Sequence, residues 1–223
     1  MSLSSREELL FEEWKRNRTG FVADGLVSEL EYLSSKIKIC VVLKEVNDPK
    51  GGGWDLRKFL AEGARPQTWD NIVRWVLGLN NVDIAWSDVD SISKEIRINT
   101  LKSLSVINLK KSPGTHTTNN ASLKLIAKED SEYIAKQYSI YDPDITICGG
   151  TGDLFKAVAG FDECRWNRTR RGVWWYERAP SKYVIAYCHP EARVDSSLIL
   201  YGLIDAVNDI YSQALSSTTI LER

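Results

Sequence analysis

Four polar segments of the sequence, each rich in glycine, proline or charge, directly follow four short apolar runs. They are Lys44–Gly53, Lys110–Gly114, Gly149–Gly152 and His189–Arg193. These residue types include carboxylates that can position water, amides and lysines that can hold a phosphate, and a histidine that can stabilise developing charge. If the apolar runs are parallel strands, all four segments lie at the carboxyl edge of the sheet, where ligands bind.

The first two segments supply candidates for water activation and for phosphate binding. Glu45, Asn47 or Asp48 could position or activate a water molecule. A solvated turn explains the same residues equally well, because Asn-Asp-Pro and triple glycine are common turn sequences. The second segment suits a loop that faces phosphate, with candidate residues Lys110, Lys111, Ser112 and Gly114.

The last two segments also have a functional and a structural interpretation. Gly149, Gly150 and Thr151 could cradle a phosphate with backbone amides, or form a tight turn between a strand and a helix. They match neither the Walker loop nor the dinucleotide fingerprint. His189 could be a structural, hydrogen-bonded histidine, but its place after an apolar strand favours a functional role, with Arg193 as a nearby phosphate ligand.

A basic and aromatic stretch stands apart from the rest of the chain. Residues 165–176 hold four arginines and four aromatic residues within twelve positions. Such a stretch can hold a nucleic-acid backbone and stack on bases, with Arg168, Arg170 and Arg171 as the candidate phosphate contacts. The alternative is an edge hairpin whose tryptophans pack on the core while its arginines face solvent.

Length and composition indicate an ordinary globular protein. The 223 residues are 43% hydrophobic and carry 29 Lys+Arg against 30 Asp+Glu. This length predicts one domain, residues 1–223, with a helical N-terminal extension over residues 1–35. The near-zero net charge argues against attachment to nucleic acid through bulk charge, so a nucleic-acid site must be local.

The four cysteines form no CxxC pair, and only His116 and His189 could assist them, so we expect neither a metal nor a cofactor. His116 lies in a polar run and is expected to be a loop residue. The sequence has no apolar signal region and no membrane-length apolar segment, which predicts a cytoplasmic protein without membrane contact. The sequence leaves its oligomeric state open.

Short β-rich runs alternate with amphipathic segments, which predicts an α/β fold of three α/β/α layers around a short, mainly parallel sheet of about four strands. The expected strands are residues 37–43, 104–109, 144–148 and 183–187. The expected helices are residues 5–17, 68–79, 94–102, 121–140 and 195–215.

In order along the chain, these segments resemble the uracil-DNA glycosylase superfamily, in particular its thermophile-type members. The best local match is residues 106–114, Val-Ile-Asn-Leu-Lys-Lys-Ser-Pro-Gly, followed by Tyr-Asp-Pro-Asp-Ile-Thr-Ile-Cys-Gly-Gly-Thr at 141–151 and by His189-Pro190. Residues 44–49 only approximate the family's first motif and lack its leading glycine. The iron–sulfur cysteines have no counterparts here, Lys111 standing about where one is expected, so no cluster is expected.

The resemblance implies a DNA partner and hydrolysis of the N-glycosidic bond to a flipped-out base. It implies that Glu45, Asn47 or Asp48 serves the sugar side of the bond and that His189 stabilises the departing base. Asn108 would read the amide edge of the base, because its side chain offers both a donor and an acceptor. The competing hypothesis is a catalytically silent protein of the same fold that binds nucleic acid or a nucleotide, and a third is a nucleoside- or nucleotide-processing hydrolase.

Overall fold

A seven-stranded mixed sheet forms the centre of the protein. The computed structural model describes residues 1–115 and 117–221, with side chains up to residue 215, so His116 and residues 222–223 lie outside the described residues. The strands are β1 Gly25–Leu26, β2 Ile39–Leu43, β3 Leu104–Asn108, β4 Ile145–Gly149, β5 Asn167–Arg168, β6 Trp174–Ala179 and β7 Lys182–Tyr187. Their order across the sheet is β1-β3-β2-β4-β7-β6-β5.

Helices cover both faces of this sheet, which gives the expected α/β/α layers. The helices are α1 Leu3–Trp14, α2 Glu29–Ser34, α3 Leu56–Ala61, α4 Pro66–Asn80, α5 Lys94–Lys102, α6 Asn120–Glu129, α7 Ser131–Tyr141, α8 Gly152–Val158 and α9 Ser196–Leu221. Alternate residues of the strands point to opposite faces. One core therefore joins the sheet to α3, α4, α5 and α9, and a second joins it to α1, α6, α7 and α8.

All four predicted strands are present as the parallel centre β3-β2-β4-β7. The expectation of about four mainly parallel strands is wrong, because β1 pairs antiparallel with β3, and β6 and β5 add an antiparallel hairpin beside β7. β1 and β5 have only two residues each, too few to show a β-type pattern in the sequence.

The helix predicted over residues 121–140 is in fact two helices that break at Asp130. The backbone of Asp130 has φ −91° and ψ 7°, outside the helical values. Its buried carboxylate binds the guanidinium of Arg18, with Oδ1 2.7 Å from Nη2. A long-range ion pair, absent from any local pattern, therefore accompanies the change in direction between α6 and α7.

Residues 1–35 contribute more than a helical extension. Leu10, Phe11 and Trp14 of α1 are buried in the second core, and residues 15–17 continue α1 as a turn of 3₁₀ helix. β1 joins the edge of the sheet beside β3. This segment therefore belongs to the folded domain.

The strand order places a topological switch point between β2 and β4. From β2 the chain crosses over to β3 on one side, then returns past β2 to form β4 on the other side. In open α/β sheets, the crevice outside the carboxyl ends of two such strands is where ligands bind. The segments that follow β2 and β4 are therefore the first place to look for a site.

Candidate functional site

A cleft of about 760 Å³ opens at this switch point. Its walls come from the ends of β2, β4 and β7 and from the facing sides of α6 and α8. Three lysines, Lys44, Lys124 and Lys128, outnumber the one carboxylate, Asp153, and give the cleft a net positive lining beside the turn Gly150–Gly152. Lys124 and Lys128 were not predicted, because two lysines four positions apart on an exposed helix are ordinary in a sequence. This cleft is suited to an anionic ligand.

The glycine turn at the floor of the cleft is held by its own strands. The amide of Gly150 donates to the carbonyl oxygens of Cys148 and Tyr187, both at 2.9 Å. The buried hydroxyl of Thr151 donates to the carbonyl oxygen of Val42 at 2.9 Å. The expected phosphate cradle is therefore wrong for the Gly150 amide, and the Thr151 hydroxyl supports the turn. The turn leaves open space in the cleft, because a Cβ added at Gly150 would have no other residue's atoms within 4 Å.

Gly149 is needed for close packing between the strand ends. A Cβ at this position would lie 2.9 Å from Leu43 Cδ2 and 3.3 Å from Pro190 Cδ. The ends of β2 and β4 therefore meet the segment that follows β7 at one point.

Glu45 and Lys110, expected on the sugar and phosphate sides of a substrate, bind each other. The ammonium group of Lys110 forms an ion pair with the Glu45 carboxylate and also donates to the Pro113 carbonyl oxygen at 3.3 Å. The Glu45 side chain is only 4% exposed. A Cβ at Gly114 would lie 2.2 Å from Glu45 Cδ, so this glycine makes room for the carboxylate.

Asp48 organises its own loop. Its carboxylate accepts hydrogen bonds from the Lys50 amide at 2.8 Å, the Gly52 amide at 2.9 Å and Trp54 Nε1 at 2.8 Å. These donors, the Lys50 amide first, lower the pKa of Asp48. Asn47 differs, because its side chain is exposed and binds no other residue in the part of the chain that the structure describes. Its backbone pairs with that of Gly114.

Asn108 ends β3 and is buried. Its backbone amide donates to Asp24 Oδ2 at 2.7 Å. Among the described residues, its side-chain Nδ2 has no hydrogen-bond partner although it is shielded from solvent. A buried donor without a partner is costly, so a carbonyl oxygen that reached this amide would relieve that cost.

Lys111 is wrong as a phosphate ligand, because its side chain is completely buried. Its Nζ lies 2.6 Å from Asp24 Oδ1 and donates to Gln137 Oε1 at 2.8 Å. It also stands 4.8 Å from the centre of the Trp14 ring. Burial lowers the pKa of Lys111, and the carboxylate of Asp24 opposes that shift.

A chain of buried hydrogen bonds, which no local pattern in the sequence predicts, continues from Asp24 to the N-terminal helix. Gln137 Nε2 donates to Asp24 Oδ1 at 2.8 Å and to the Tyr141 hydroxyl at 2.7 Å. The Tyr141 hydroxyl in turn donates to Glu7, which is also paired with Arg57. Burial raises the pKa of Glu7 to about 7.

His189 is held as a neutral imidazole. Its Nδ1 accepts a hydrogen bond from the Glu191 amide at 3.1 Å. Burial, and to a smaller extent the positive charge of Lys44, lower its pKa. A neutral ring that accepts at Nδ1 carries its proton on Nε2, so His189 presents a donor. Asn71 fixes the next residue by donating to the Pro190 carbonyl oxygen at 2.7 Å. In the same edge loops, Arg193 is exposed and Ser112 half-buried.

The basic and aromatic stretch forms an antiparallel hairpin, β5–β6, at the edge of the sheet, with Trp175 in the core and Trp174 exposed. Arg170 Nε lies 2.7 Å from Asp209 Oδ1, and Arg171 Nε lies 3.3 Å from Asp205 Oδ2, both carboxylates belonging to α9. Arg168 instead lies over the ring of Trp174 at 5.2 Å. Trp174 and Trp166 line a second cavity of about 390 Å³, which shares Asp153 and Ala186 with the cleft.

These observations define the class of protein as an α/β protein with a cationic cleft at the carboxyl edge of its parallel strands. Comparison of the sequence with protein-family models and with curated proteins finds no match. Within the described ranges, no three His, Cys, Asp or Glu side chains are grouped to hold a metal ion. No helix in those ranges has both the length and the apolar character needed to cross a membrane.

Proposed function

We propose that this chain binds DNA at the carboxyl edge of its sheet and hydrolyses the N-glycosidic bond of uracil or another damaged base. The observation that carries the proposal is the cleft at the switch point, where Lys44, Lys124 and Lys128 face an open glycine turn. Lysines attract the phosphates of DNA, and open space beside a glycine admits an extruded nucleotide. The resemblance of residues 106–114, 141–151 and 189–190 to uracil-DNA glycosylases supports the same function.

Two side chains that lie outside the lining of the cleft, at the ends of β3 and β7, have the chemistry needed to bind the departing base. Cleavage of the bond leaves negative charge on the base, and donors aimed at that charge lower the barrier. His189 supplies a neutral imidazole with its proton on Nε2, and Lys44 adds positive charge beside it. Asn108 supplies an amide whose unpaired Nδ2 suits a base carbonyl oxygen.

Asn47 is the residue of the first segment that we assign to the attacking water. Glu45 is ion-paired and Asp48 is committed to three donors of its own loop. The exposed amide of Asn47 can accept a hydrogen bond from water through its carbonyl oxygen and so orient the molecule toward the sugar.

One observation favours a second function, that of a catalytically silent nucleic-acid binding protein. Both carboxylates of the first segment are occupied by partners from the chain itself. Without a free carboxylate, water is oriented but not deprotonated, which is a weaker form of catalysis. Such a protein would bind the same DNA and release no base.

In the deciding experiment, the purified chain is incubated with oligonucleotides that contain uracil, hypoxanthine, xanthine or normal bases. Abasic sites are then detected by cleavage of the DNA in alkali. We expect abasic sites from a damaged base, with turnover lowered about 10²-fold in His189→Ala. Asn47→Ala should slow turnover at unchanged DNA affinity, and Asn81→Ala, at an exposed asparagine that directly follows α4, is the matched control. Binding without abasic sites would establish the silent protein, and the absence of both would refute a DNA function.

A further inference from the structure

We propose that the second cavity binds the base next to the extruded one, which makes single-stranded DNA the substrate. This inference rests on the proposed function and deepens it. The cavity lies beside the cleft, and the two share Asp153 of α8 and Ala186 of β7 as a common wall. Two occupants, one in each cavity, would therefore lie side by side, as two successive nucleotides of one strand do.

Two tryptophans give the second cavity the lining that a base requires. Trp166 and Trp174 both border it. Trp175 and Tyr176, which follow Trp174, are buried in the cores, whereas Trp174 is 47% exposed. A large aromatic side chain exposed on a hairpin is a surface on which any base can stack.

Gly152 keeps the wall between the two cavities thin. A Cβ at this position would lie 2.7 Å from Ala186 Cβ and 3.6 Å from Trp166 Cη2. The distance to Ala186 means that only a glycine allows α8 to start this close to the end of β7, whereas the distance to the Trp166 ring is an ordinary contact. The proximity brings the cleft and the tryptophans within reach of neighbouring nucleotides.

Charged side chains around the second cavity indicate where a phosphate and where a base would bind. In the described part of the chain Arg168 pairs with no carboxylate, unlike Arg170 and Arg171, and its guanidinium lies 5.2 Å from the Trp174 ring centre. It can therefore contact the phosphate that follows the stacked base. Asp153 repels phosphate, but its carboxylate accepts hydrogen bonds from the amino group of a base such as cytosine.

Two adjacent bases can occupy two adjacent cavities only when neither is paired. In an intact duplex the neighbour of an extruded base remains stacked and paired with the opposite strand. The arrangement of cleft, thin wall and tryptophan surface therefore favours a single strand.

The test measures binding of a twelve-nucleotide single strand with one central uracil and a cytosine on each side, by fluorescence anisotropy. Further probes carry an abasic analogue in place of either cytosine, and one probe is the matched duplex. We expect the single strand to bind tighter than the duplex. Trp174→Ala should weaken single-strand binding about tenfold, and Trp174→Phe should restore most of it. Arg168→Ala should reduce the salt dependence of binding, whereas Arg170→Ala, whose cation is already paired, is the charge-matched control.

The abasic probes test the contact itself. In the unsubstituted protein, an abasic analogue at one of the two positions should lower the affinity about as much as Trp174→Ala does. In the Trp174→Ala protein, an abasic analogue at that same position should cause no further loss of affinity. Equal affinity of Trp174→Ala and the original protein, or additive losses, would overturn the stacking site. Uracil release from the single strand is measured in parallel, so a protein that stacks the neighbour base without releasing uracil would separate this inference from the glycosylase activity.

Discussion

Replacing Lys111 with methionine tests whether this lysine serves stability or DNA binding. The sequence suggested a phosphate ligand, but the side chain is wholly buried, with its Nζ 2.6 Å from Asp24 Oδ1. Methionine has a similar length and leaves the Asp24 carboxylate without its cation. We expect the variant to be much less stable and, where folded, to bind DNA as the original protein does.

The expected loss follows from the environment of the pair. Removing one partner from a buried ion pair costs ~3–5 kcal/mol, because the remaining charge is left in an apolar interior. Asp24 keeps hydrogen bonds from Gln137 and from the Asn108 amide, which favours the lower end of this range. For a chain of this length the loss corresponds to a decrease in Tm of about 6–20 °C.

Urea unfolding at fixed pH measures the change, with an unaltered slope as evidence that the unfolded state is the same. Asp24→Asn combined with Lys111→Met should recover part of the loss, since no buried charge then remains unpaired. Lys15→Met, which removes the cation of the exposed pair with Glu12, is the control. A Lys111→Met protein with unchanged stability and a shallower salt dependence of DNA binding would refute the buried-pair argument.

Three further predictions concern pH and backbone conformation. Burial raises the pKa of Glu7 from 4.5 to about 7, so the folded state retains a proton that the unfolded state has lost, and stability should fall by ~3 kcal/mol as pH rises through this window. Urea unfolding at several pH values should show this slope, and Glu7→Gln should flatten it. Burial lowers the pKa of His189 below its usual 6.5. The rate of base release should therefore stay constant through neutral pH and decline only on acidification. The acidic decline in kcat/KM should be absent from the pH profile of His189→Gln. Gly52→Ala should destabilise by ~1–3 kcal/mol in urea, because its φ is +80° and its Cβ would lie 2.1 Å from the Gly20 carbonyl oxygen; Gly51→Ala, with φ +99° and open space, should cost less.

The centre of the sheet was predictable because its strands are continuous apolar runs. β2 has five buried residues in succession, a pattern typical of a parallel strand covered on both faces. The edges were not predictable in the same way. β1 is two residues long and takes its place by pairing with β3, which lies about eighty positions away in the chain.

The location of the candidate site was also predictable, but the role of each side chain was not. The carboxyl ends of parallel strands meet at one edge whatever their sequence, so the edge follows from the strand pattern alone. Lys110 and Lys111 show why the role of each side chain does not follow from the strand pattern. Lys110 pairs with Glu45 in the loop that follows β2. The adjacent Lys111 pairs with Asp24, which directly precedes β1. Ion pairs of this kind depend on tertiary contacts that leave no local signal.

The same contacts connect the N-terminal segment to the candidate site. Asp24 holds the backbone amide of Asn108 with one carboxylate oxygen and binds Lys111 with the other. Through Gln137 and Tyr141 the chain of hydrogen bonds reaches Glu7 in α1, whose carboxylate also accepts from the Leu26 amide. Because buried hydrogen bonds hold their members in fixed positions, the backbone position of Asn108 depends on residues of the N-terminal segment. The position of the proposed base-reading amide is therefore set as much by α1 and β1 as by the strand that carries it.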